Sequence, residues 1–147
     1  MRDPITVGGH LRIRPFNTAE TYPEQRLDND LCQAVVAGNT VYLRGQVPQD
    51  LDTGENVAIG DPAGQAGQVM ANIATLLAEA GAGPEHIAKL TWYVTDKQAY
   101  LDALPQVGAA YRALMGRNYP AMAVVQVTAL VEDGAMIEIE AMAVVPE

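Results

Sequence analysis

The stretch that decides the fold is Tyr119-Pro-Ala-Met-Ala-Val-Val-Gln-Val-Thr-Ala-Leu, followed by Ala135-Met-Ile-Glu-Ile-Glu-Ala-Met-Ala-Val-Val. Both segments are apolar and rich in small or β-branched residues, which predicts two strands. The second strand carries Glu138 and Glu140, which alternate with isoleucines and therefore face the same side, about 7 Å apart. Carboxylates that close can raise one another's pKa and perform acid–base chemistry. For Glu140 alone, an intersubunit salt bridge is the interpretation that we favour.

Upstream of this pair, the chain reads as short strands interrupted by polar loops. Gly38-Asn39 joins two apolar segments and favours a hairpin, because both residues tolerate a positive φ. We expect a flexible start at Met1–Gly9, a short edge strand that begins at Leu11 and is ended by Pro15, a polar loop at Asn17–Asp30, and strands at Leu31–Ala37 and Thr40–Gln46.

Two helical regions follow. Asp61-Pro62 supplies an N-cap and a proline at the first helical position, and apolar residues recur at helical spacing up to Gly81. Ile87–Thr95 predicts a strand, and Asp96 can cap a second helical region that ends at Gly116 and is interrupted at Pro105. The predicted order is therefore β-ββ-α-β-α-ββ.

Length and charge limit the class of protein. The chain has 147 residues, 49% of them hydrophobic, which suits one domain with a single core. A net charge of −9 leaves no cationic field for nucleic acid or an anionic membrane. No apolar run approaches the roughly 20 residues of a membrane span, and no signal sequence is evident. We expect a soluble, cytoplasmic protein with no nucleic-acid or membrane partner.

No cofactor or metal is expected. His10 and His86 are isolated, and neither has a second His or Cys at ligand spacing. The glycine-rich segment from Gly60 lacks the phosphate-loop lysine and the dinucleotide spacing. The single cysteine, Cys32, has apolar neighbours and suits a buried position better than a reactive thiol.

One face of the predicted sheet needs a partner. Two helices cover only one face, and alternation places aromatic, methionine and charged side chains together on the other. Such a mixture is typical of a subunit interface or a ligand pocket, although isolated exposed apolar residues on a wet face are the plainer alternative. The face comprises Tyr42, Arg44, Thr91, Tyr93, Met136, Glu138, Glu140 and Met142.

The motifs resemble those of the Rid (YjgF) family of enamine and imine deaminases over about Leu31 to Val145. Those motifs are Gly45-Gln46, Thr53-Gly54-Glu55, the capped helix from Asp61, the strand from Lys89 to Asp96, and Glu138 to Ala141. The resemblance implies an α+β, chorismate-mutase-like mixed sheet with two helices on one face. It also implies a homotrimer with small-molecule clefts between subunits, and a hydrolase similar to 2-iminobutanoate/2-iminopropanoate deaminases.

The same resemblance assigns site residues. It implies that Glu138 directs a water onto the imine carbon, and that Met122 stands where the family has a carboxylate-binding arginine. Leu31, Arg44 and Gly108 likewise stand in place of a tyrosine, a serine and an asparagine of the family. A thioether cannot clamp a carboxylate as a guanidinium does. The chain is therefore predicted to be a divergent member.

The cleft would be lined by Leu31, Arg44, Gly45, Tyr93, Met122 and Gln126. Arg44 replaces the missing arginine in one hypothesis and forms a structural ion pair with Glu138 in the other. Gln126 could contact a ligand or Glu138, although a structural hydrogen bond is the commoner use. Tyr22, in the 17–30 loop, could supply the aromatic group missing at Leu31.

Two functions remain open at this point. The first is a hydrolytic deaminase of an imine, enamine or related nitrogen compound. The second is a non-catalytic trimer that binds a metabolite as a regulator or scavenger. A third, ribonuclease activity, conflicts with the acidic composition and ranks last.

Overall fold

The computed structural model describes residues 5–13 and 33–146. In this part of the chain one mixed sheet carries helices on a single face. The strands are β1 (Ile5–Val7), β2 (His10–Ile13), β3 (Ala34–Ala37), β4 (Thr40–Leu43), β5 (Ile87–Val94), β6 (Ala121–Gln126) and β7 (Ile137–Val144). The helices are α1 (Pro62–Glu79), α2 (Lys97–Asp102) and α3 (Leu104–Met115), and a short 3-10 turn spans Pro84–His86.

The strands lie in the order β1-β2-β3-β4-β7-β5-β6. All neighbours are antiparallel except β5 and β6, which are parallel and connected through α2 and α3. The two C-terminal strands are therefore not neighbours, because β5 lies between β6 and β7. Gln126, on β6, and Glu138, on β7, therefore do not lie on adjacent strands, and the contact between them that the sequence allowed is not formed within one chain.

Helix boundaries follow the predicted signals. Asp61 caps α1 by accepting a hydrogen bond from the Gly64 N–H at 3.1 Å, and Asp96 caps α2 by accepting one from Ala99 at 3.0 Å. The predicted break near Pro105 is confirmed, because α2 ends at Asp102 and α3 starts at Leu104 with the proline in its first turn. Gly116 ends α3 with a φ of +58°.

The core lies between the sheet and the helices. Alternate residues of β7 point into it, together with apolar side chains of β4, β5, α1 and α3. Trp92 is 2% exposed and lies among the rings of Tyr100 and Tyr111, at centroid distances of 6.3 and 6.4 Å. Trp92 is therefore part of the hydrophobic core.

The start of the chain differs from the expectation. Residues 5–7 form β1, which pairs with β2 across a turn at Gly8-Gly9, so β2 is an inner strand and not an edge. Both glycines have a positive φ, which explains how so short a segment can reverse direction. The predicted loop at 17–30, Tyr22, Leu31 and Cys32 lie outside the described residues.

Candidate functional site

The face without helices carries three rows of paired side chains. Tyr42 lies opposite Met142, and Thr91 lies opposite Glu140. Tyr93 lies opposite Glu138. Since directly opposed residues of antiparallel strands point to the same side, these six side chains share the open face, as the alternation predicts. We call this surface, with Arg44 and Lys89, the open face.

A register shift places backbone beside the Glu138 carboxylate. Tyr42 pairs with Met142 whereas Gln46 bridges Ile139, so the three residues 43–45 lie opposite the two residues 140–141. The extra residue makes a bulge between Leu43 and Gln46. A bulge bends its strand and changes the direction of neighbouring side chains, and glycine often occupies one.

A side chain at residue 45 would meet the Glu138 side chain at this bulge. A Cβ on residue 45 would lie 2.9 Å from Cδ and 3.1 Å from Cγ of Glu138, and would overlap its carboxylate oxygen. Its φ is not positive, so the reason for glycine is space and not backbone conformation. The Glu138 side chain therefore lies directly against the backbone of residue 45.

The environment of Glu138 favours its protonated form. Partial burial raises the pKa of the Glu138 carboxyl above its ordinary value, the positive charge of Arg44 opposes that rise, and the negative charge of Glu140 adds to it. A carboxyl whose pKa is moved towards neutrality can exchange protons more readily near neutral pH. Glu138 has the surroundings of a general acid or base.

Arg44 influences Glu138 without a contact ion pair. The ion pair found among the described residues joins His86 to Glu85 at 3.8 Å, so Arg44 and Glu138 do not form one there. Arg44 is exposed on the open face, and its main-chain N–H donates to the Gln33 carbonyl at 2.9 Å. Its guanidinium is exposed on this face, where its positive charge acts on the Glu138 carboxylate.

Tyr93 and Glu140 form a side-chain hydrogen bond on the open face. The Tyr93 hydroxyl donates to Glu140 Oε1 at 2.7 Å, and this bond raises the pKa of the Tyr93 phenol. Burial and the charges of Glu140 and Glu138 act in the same direction. Next to this pair is a shallow depression of about 230 Å³, lined by Tyr42, Leu43, Lys89, Thr91, Glu140, Ala141 and Met142.

Met122 and Gln126 lie on the other side of the sheet. Met122 pairs with Leu90 and Gln126 with Val94, and both partners are buried beneath the helices. Because β6 is the last strand, Met122 remains 50% exposed at the edge. Gln126 Oε1 accepts the Lys97 N–H at 2.8 Å, so the glutamine supports the first turn of α2. Neither side chain shares a face with Glu138.

Arg112, on α3, is a polar residue that is absent from the site predicted from the sequence. A Cβ on Gly108 would lie 3.1 Å from Arg112 Nη1 and 3.9 Å from Cζ, so the guanidinium lies across the bare backbone of Gly108. The sequence signal that could have found it is the i, i+4 spacing of a mid-helix glycine and an arginine. In the sequence, Gly108 drew notice only because the resembling family has an asparagine at that position.

Metal and membrane features can be stated for the same residues. Within residues 5–13 and 33–146, no group of three or more His, Cys, Asp or Glu side chains is arranged to hold a metal ion. In the same ranges, no helix is long and apolar enough to cross a membrane.

These features define a class: an α+β protein whose sheet is covered by helices on one face and carries two glutamate side chains, Glu138 and Glu140, on the other. Known proteins agree. Residues 24–145 match the family model described as Endoribonuclease L-PSP. The chain therefore belongs to the Rid (YjgF) family, which that model represents.

Individual relatives cover most of the chain. A RutC family protein of Pyrococcus abyssi is 37% identical over 111 residues, which are 76% of this chain and 83% of the relative. A human protein named 2-iminobutanoate/2-iminopropanoate deaminase is 34% identical over 112 residues, 76% of this chain and 77% of its own. The structure of the E. coli YjgF gene product is 36% identical, covers 78% of this chain and 87% of its own, and superposes with a TM-score of 0.67.

Proposed function

We propose that this protein is a hydrolytic deaminase of small imines or enamines, in which Glu138 directs the attacking water. The name of the human relative supports this reaction class. In such a reaction water adds to the imine carbon, the carbon–nitrogen bond breaks, nitrogen leaves as ammonia, and the water oxygen remains as the carbonyl oxygen. Both protons of the water end on the nitrogen, one when water adds and one when the carbon–nitrogen bond breaks, so the protein needs to move these protons and to hold the substrate.

The observation that carries the proposal is the position of Glu138. Its carboxylate lies against the Gly45 backbone, and partial burial raises the pKa of its carboxyl. An ionised Glu138 can accept a proton from the attacking water and then donate that proton to the departing nitrogen. A group with a pKa nearer to neutrality performs both transfers more readily than an ordinary glutamate.

The proposed active form is a homotrimer of the cytoplasm with clefts between subunits. The open face exposes apolar side chains such as Tyr42, which is 50% exposed, beside the charged groups. Contact between open faces of several copies would cover this surface. In one chain Glu138 and Met122 lie on opposite faces of the sheet, so a cleft that contains both must combine two subunits. Leu31, Gly45, Tyr93 and Gln126 remain proposed cleft residues.

The experiment is an imine hydrolysis assay. An amino acid oxidase generates a 2-imino acid, and its decay is followed with wild type, with Glu138→Gln and with no added protein. We expect wild type to accelerate hydrolysis and Glu138→Gln to lose about 100-fold or more of that acceleration, the usual range for a general acid–base residue. Equal rates with and without wild type would refute deamination of this substrate class.

Glu140→Gln is the matched control, because it removes one carboxylate from the same strand and face. If Glu140→Gln lowers the rate as much as Glu138→Gln does, the pair acts through charge and not through a water held by Glu138. If Glu138→Gln retains the full rate, the proposed role of Glu138 is wrong. Circular dichroism of both variants checks that the sheet is unchanged.

Met122 favours a second candidate, a trimer that binds a metabolite without converting it. Its exposed thioether is a weak acceptor and offers no charge to a substrate carboxylate. Calorimetry separates the two functions: binding of a 2-keto acid with no imine hydrolysis would favour the binding protein. The endoribonuclease in the family model's description is disfavoured by the net charge of −9, which repels phosphate backbones.

A further inference from the structure

The shallow depression on the open face is a cavity that the proposed reaction does not use. It has a volume of about 230 Å³, and neither Glu138 nor Gly45 is among the residues that line it. Three of its lining residues form a row across three strands, because Tyr42 and Lys89 both pair with Met142. Along β7, Met142 is four residues from Glu138, a distance of roughly 13 Å in a strand. The depression is therefore a separate place on the open face.

Two opposite charges line the depression. Lys89 supplies a cation and Glu140 an anion, and both side chains are exposed. Lys89 on β5 lies opposite residue 142, two positions from Glu140 on β7. The two charged residues are thus diagonal neighbours, roughly 7–8 Å apart, which is within reach of long side chains. Within the described part of the chain, however, they form no ion pair with each other.

Tyr93 engages the Glu140 carboxylate from the side remote from the lysine. On β5, Lys89 and Tyr93 flank Thr91, which is the residue opposite Glu140. The Tyr93 hydroxyl donates to Glu140 Oε1 at 2.7 Å. The carboxylate has a second oxygen that can accept, and a lysine ammonium has three hydrogens to donate. A cation and an anion thus line one depression, separate from each other and each with hydrogen-bonding capacity.

The rest of the lining combines apolar surface with one hydroxyl group. Tyr42, half-exposed, contributes an aromatic ring, and Met142 contributes a thioether chain. Thr91 contributes the hydroxyl. Small-molecule sites commonly join apolar and aromatic walls to a few polar groups that fix the orientation of the ligand. The ring and the thioether therefore suit an apolar part of a ligand whose charged part lies between the lysine and the glutamate.

The charges decide which kind of ligand fits. The chain has a net charge of −9, which repels a free anion, and an anion bound at Lys89 would also lie near Glu140. A cation bound at Glu140 would likewise lie near Lys89. A zwitterion has no net charge, and it can present its carboxylate to the lysine and its ammonium to the glutamate. Each charge then meets its opposite.

We propose that this depression binds a small zwitterion, an α-amino acid with an apolar side chain. Its carboxylate accepts hydrogen bonds from the Lys89 ammonium, and its own ammonium donates to Glu140. The apolar side chain packs against Tyr42 and Met142. Binding makes and breaks no covalent bond, and the site is distinct from the surroundings of Glu138. The inference therefore goes beyond the proposed deaminase and does not depend on it.

An NMR titration of the ¹⁵N-labelled full-length chain with L-leucine tests the proposal. The amide signals of residues 89–91 and 140–142 should shift on addition of leucine, and the shifts give the dissociation constant. We expect Lys89→Met and Glu140→Gln each to weaken leucine binding at least tenfold, the effect of losing a charge-assisted hydrogen bond. Lys97→Met is the matched control, because it removes the other lysine of the chain, on α2, and should leave the affinity unchanged.

Two analogues of leucine separate recognition from structure. 4-Methylpentanoate lacks the ammonium and 3-methylbutylamine lacks the carboxylate, and each should bind wild type at least tenfold more weakly than leucine does. Lys89→Met should bind 3-methylbutylamine at least as well as wild type does, because that ligand has no carboxylate to lose. Glu140→Gln should likewise retain 4-methylpentanoate. A merely structural role for either residue would weaken all three ligands alike.

Several outcomes would overturn the proposal. These are a wild type that binds no leucine, analogues that bind as tightly as leucine, and equal leucine affinity for wild type and Lys89→Met. The comparison of leucine with its analogues needs only wild type, so it decides the matter even if a variant fails to fold. Leucine binding without imine hydrolysis would leave this site standing while the deaminase fails. Imine hydrolysis without leucine binding would do the reverse.

Discussion

The two faces of the sheet differ in burial and in polarity, and β7 contributes residues to both. Its residues Ile137, Ile139, Ala141 and Ala143 are buried under the helices, whereas Glu138, Glu140, Met142 and Val144 alternate with them on the open face. The helix face packs its core side chains against the helices within one chain. The open face holds charges, tyrosines and a methionine in partial contact with water.

Buried polar groups show the same difference. On the helix side, Gln65 donates to the Gly134 carbonyl at 2.7 Å and accepts the Met136 N–H at 2.7 Å, which ties α1 to the segment before β7. Asn72 donates to the Gln49 carbonyl at 2.8 Å. These amides satisfy backbone groups and are available to no ligand. The difference teaches that position on the sheet, and not residue type, separates the structural polar groups from the candidate site.

The largest expected effect is on the helix face. Trp92→Ala should lower the free energy of unfolding by about 3–5 kcal/mol, because it leaves a cavity between Tyr100 and Tyr111. Trp92 is the single tryptophan, so the variant has no tryptophan fluorescence to follow. Urea unfolding is therefore measured by circular dichroism. Trp92→Phe is the control and should cost less. A loss below about 1 kcal/mol would mean that this face is not the centre of the core.

Tyr42→Ala tests whether the open face is an interface. Tyrosines central to interfaces often contribute about 2 kcal/mol, so the dissociation constant of the assembly should rise roughly 30-fold. Sedimentation equilibrium measures that constant. Leu101→Ala removes an exposed apolar side chain from α2, in the helix layer, and should leave assembly unchanged. Equal association of wild type and Tyr42→Ala would place the interface elsewhere.

Gly45→Ala sharpens the link between the bulge and the carboxylate. The new Cβ would overlap the Glu138 side chain, and overpacking of this kind costs about 1–3 kcal/mol. The free energy of unfolding of Gly45→Ala, compared with wild type at one protein concentration, measures the cost. The rate of imine hydrolysis should fall together with the free energy of unfolding, because the new Cβ displaces the Glu138 carboxylate.

A double-variant cycle identifies the cause. If Glu138 is the obstacle, Glu138→Ala should remove most of the penalty of Gly45→Ala, so the two changes are not additive. Gly67→Ala is the control: a Cβ there meets only Ala110 at 3.9 Å, and the change should stabilise α1 by about 0.5–1 kcal/mol. If the effects of Gly45→Ala and Glu138→Ala on the free energy of unfolding are additive, the contact between residue 45 and the Glu138 side chain is excluded.

Much of this arrangement follows from sequence patterns. Period-two alternation predicts that Glu138, Glu140, Thr91 and Tyr93 share a face, and Asp61 and Asp96 mark the helix starts through capping that depends on local residues. Strand order is not local, and β5 therefore separates β6 from β7 against expectation. The bulge at Gly45 and the guanidinium over Gly108 also escaped prediction, because each depends on a contact between side chain and backbone in three dimensions.

The smallest expected effect concerns the charge of Glu138. Partial burial raises the pKa of its carboxyl in the folded chain above its ordinary value, which applies to the unfolded chain. The folded state therefore binds the proton more tightly than the unfolded state. This contribution to stability is complete below the unfolded pKa and is lost as the pH rises through the folded pKa. Above both pKa values, the ionised carboxylate is partly desolvated in the folded state, which lowers the free energy of unfolding.

Glu138→Gln replaces that carboxylate with a neutral group of similar shape. We expect the variant to be more stable than wild type near pH 8, with the advantage shrinking as the pH falls and disappearing below about pH 4. Arg44→Ala should enlarge the advantage, because the arginine charge opposes the rise in the Glu138 pKa. Urea unfolding across this pH range, at fixed protein concentration, measures each difference. A variant that is less stable than wild type near pH 8 and equal to it near pH 4 would show that the open face stabilises the ionised carboxylate, and the proton-transfer role of Glu138 would lose its physical basis.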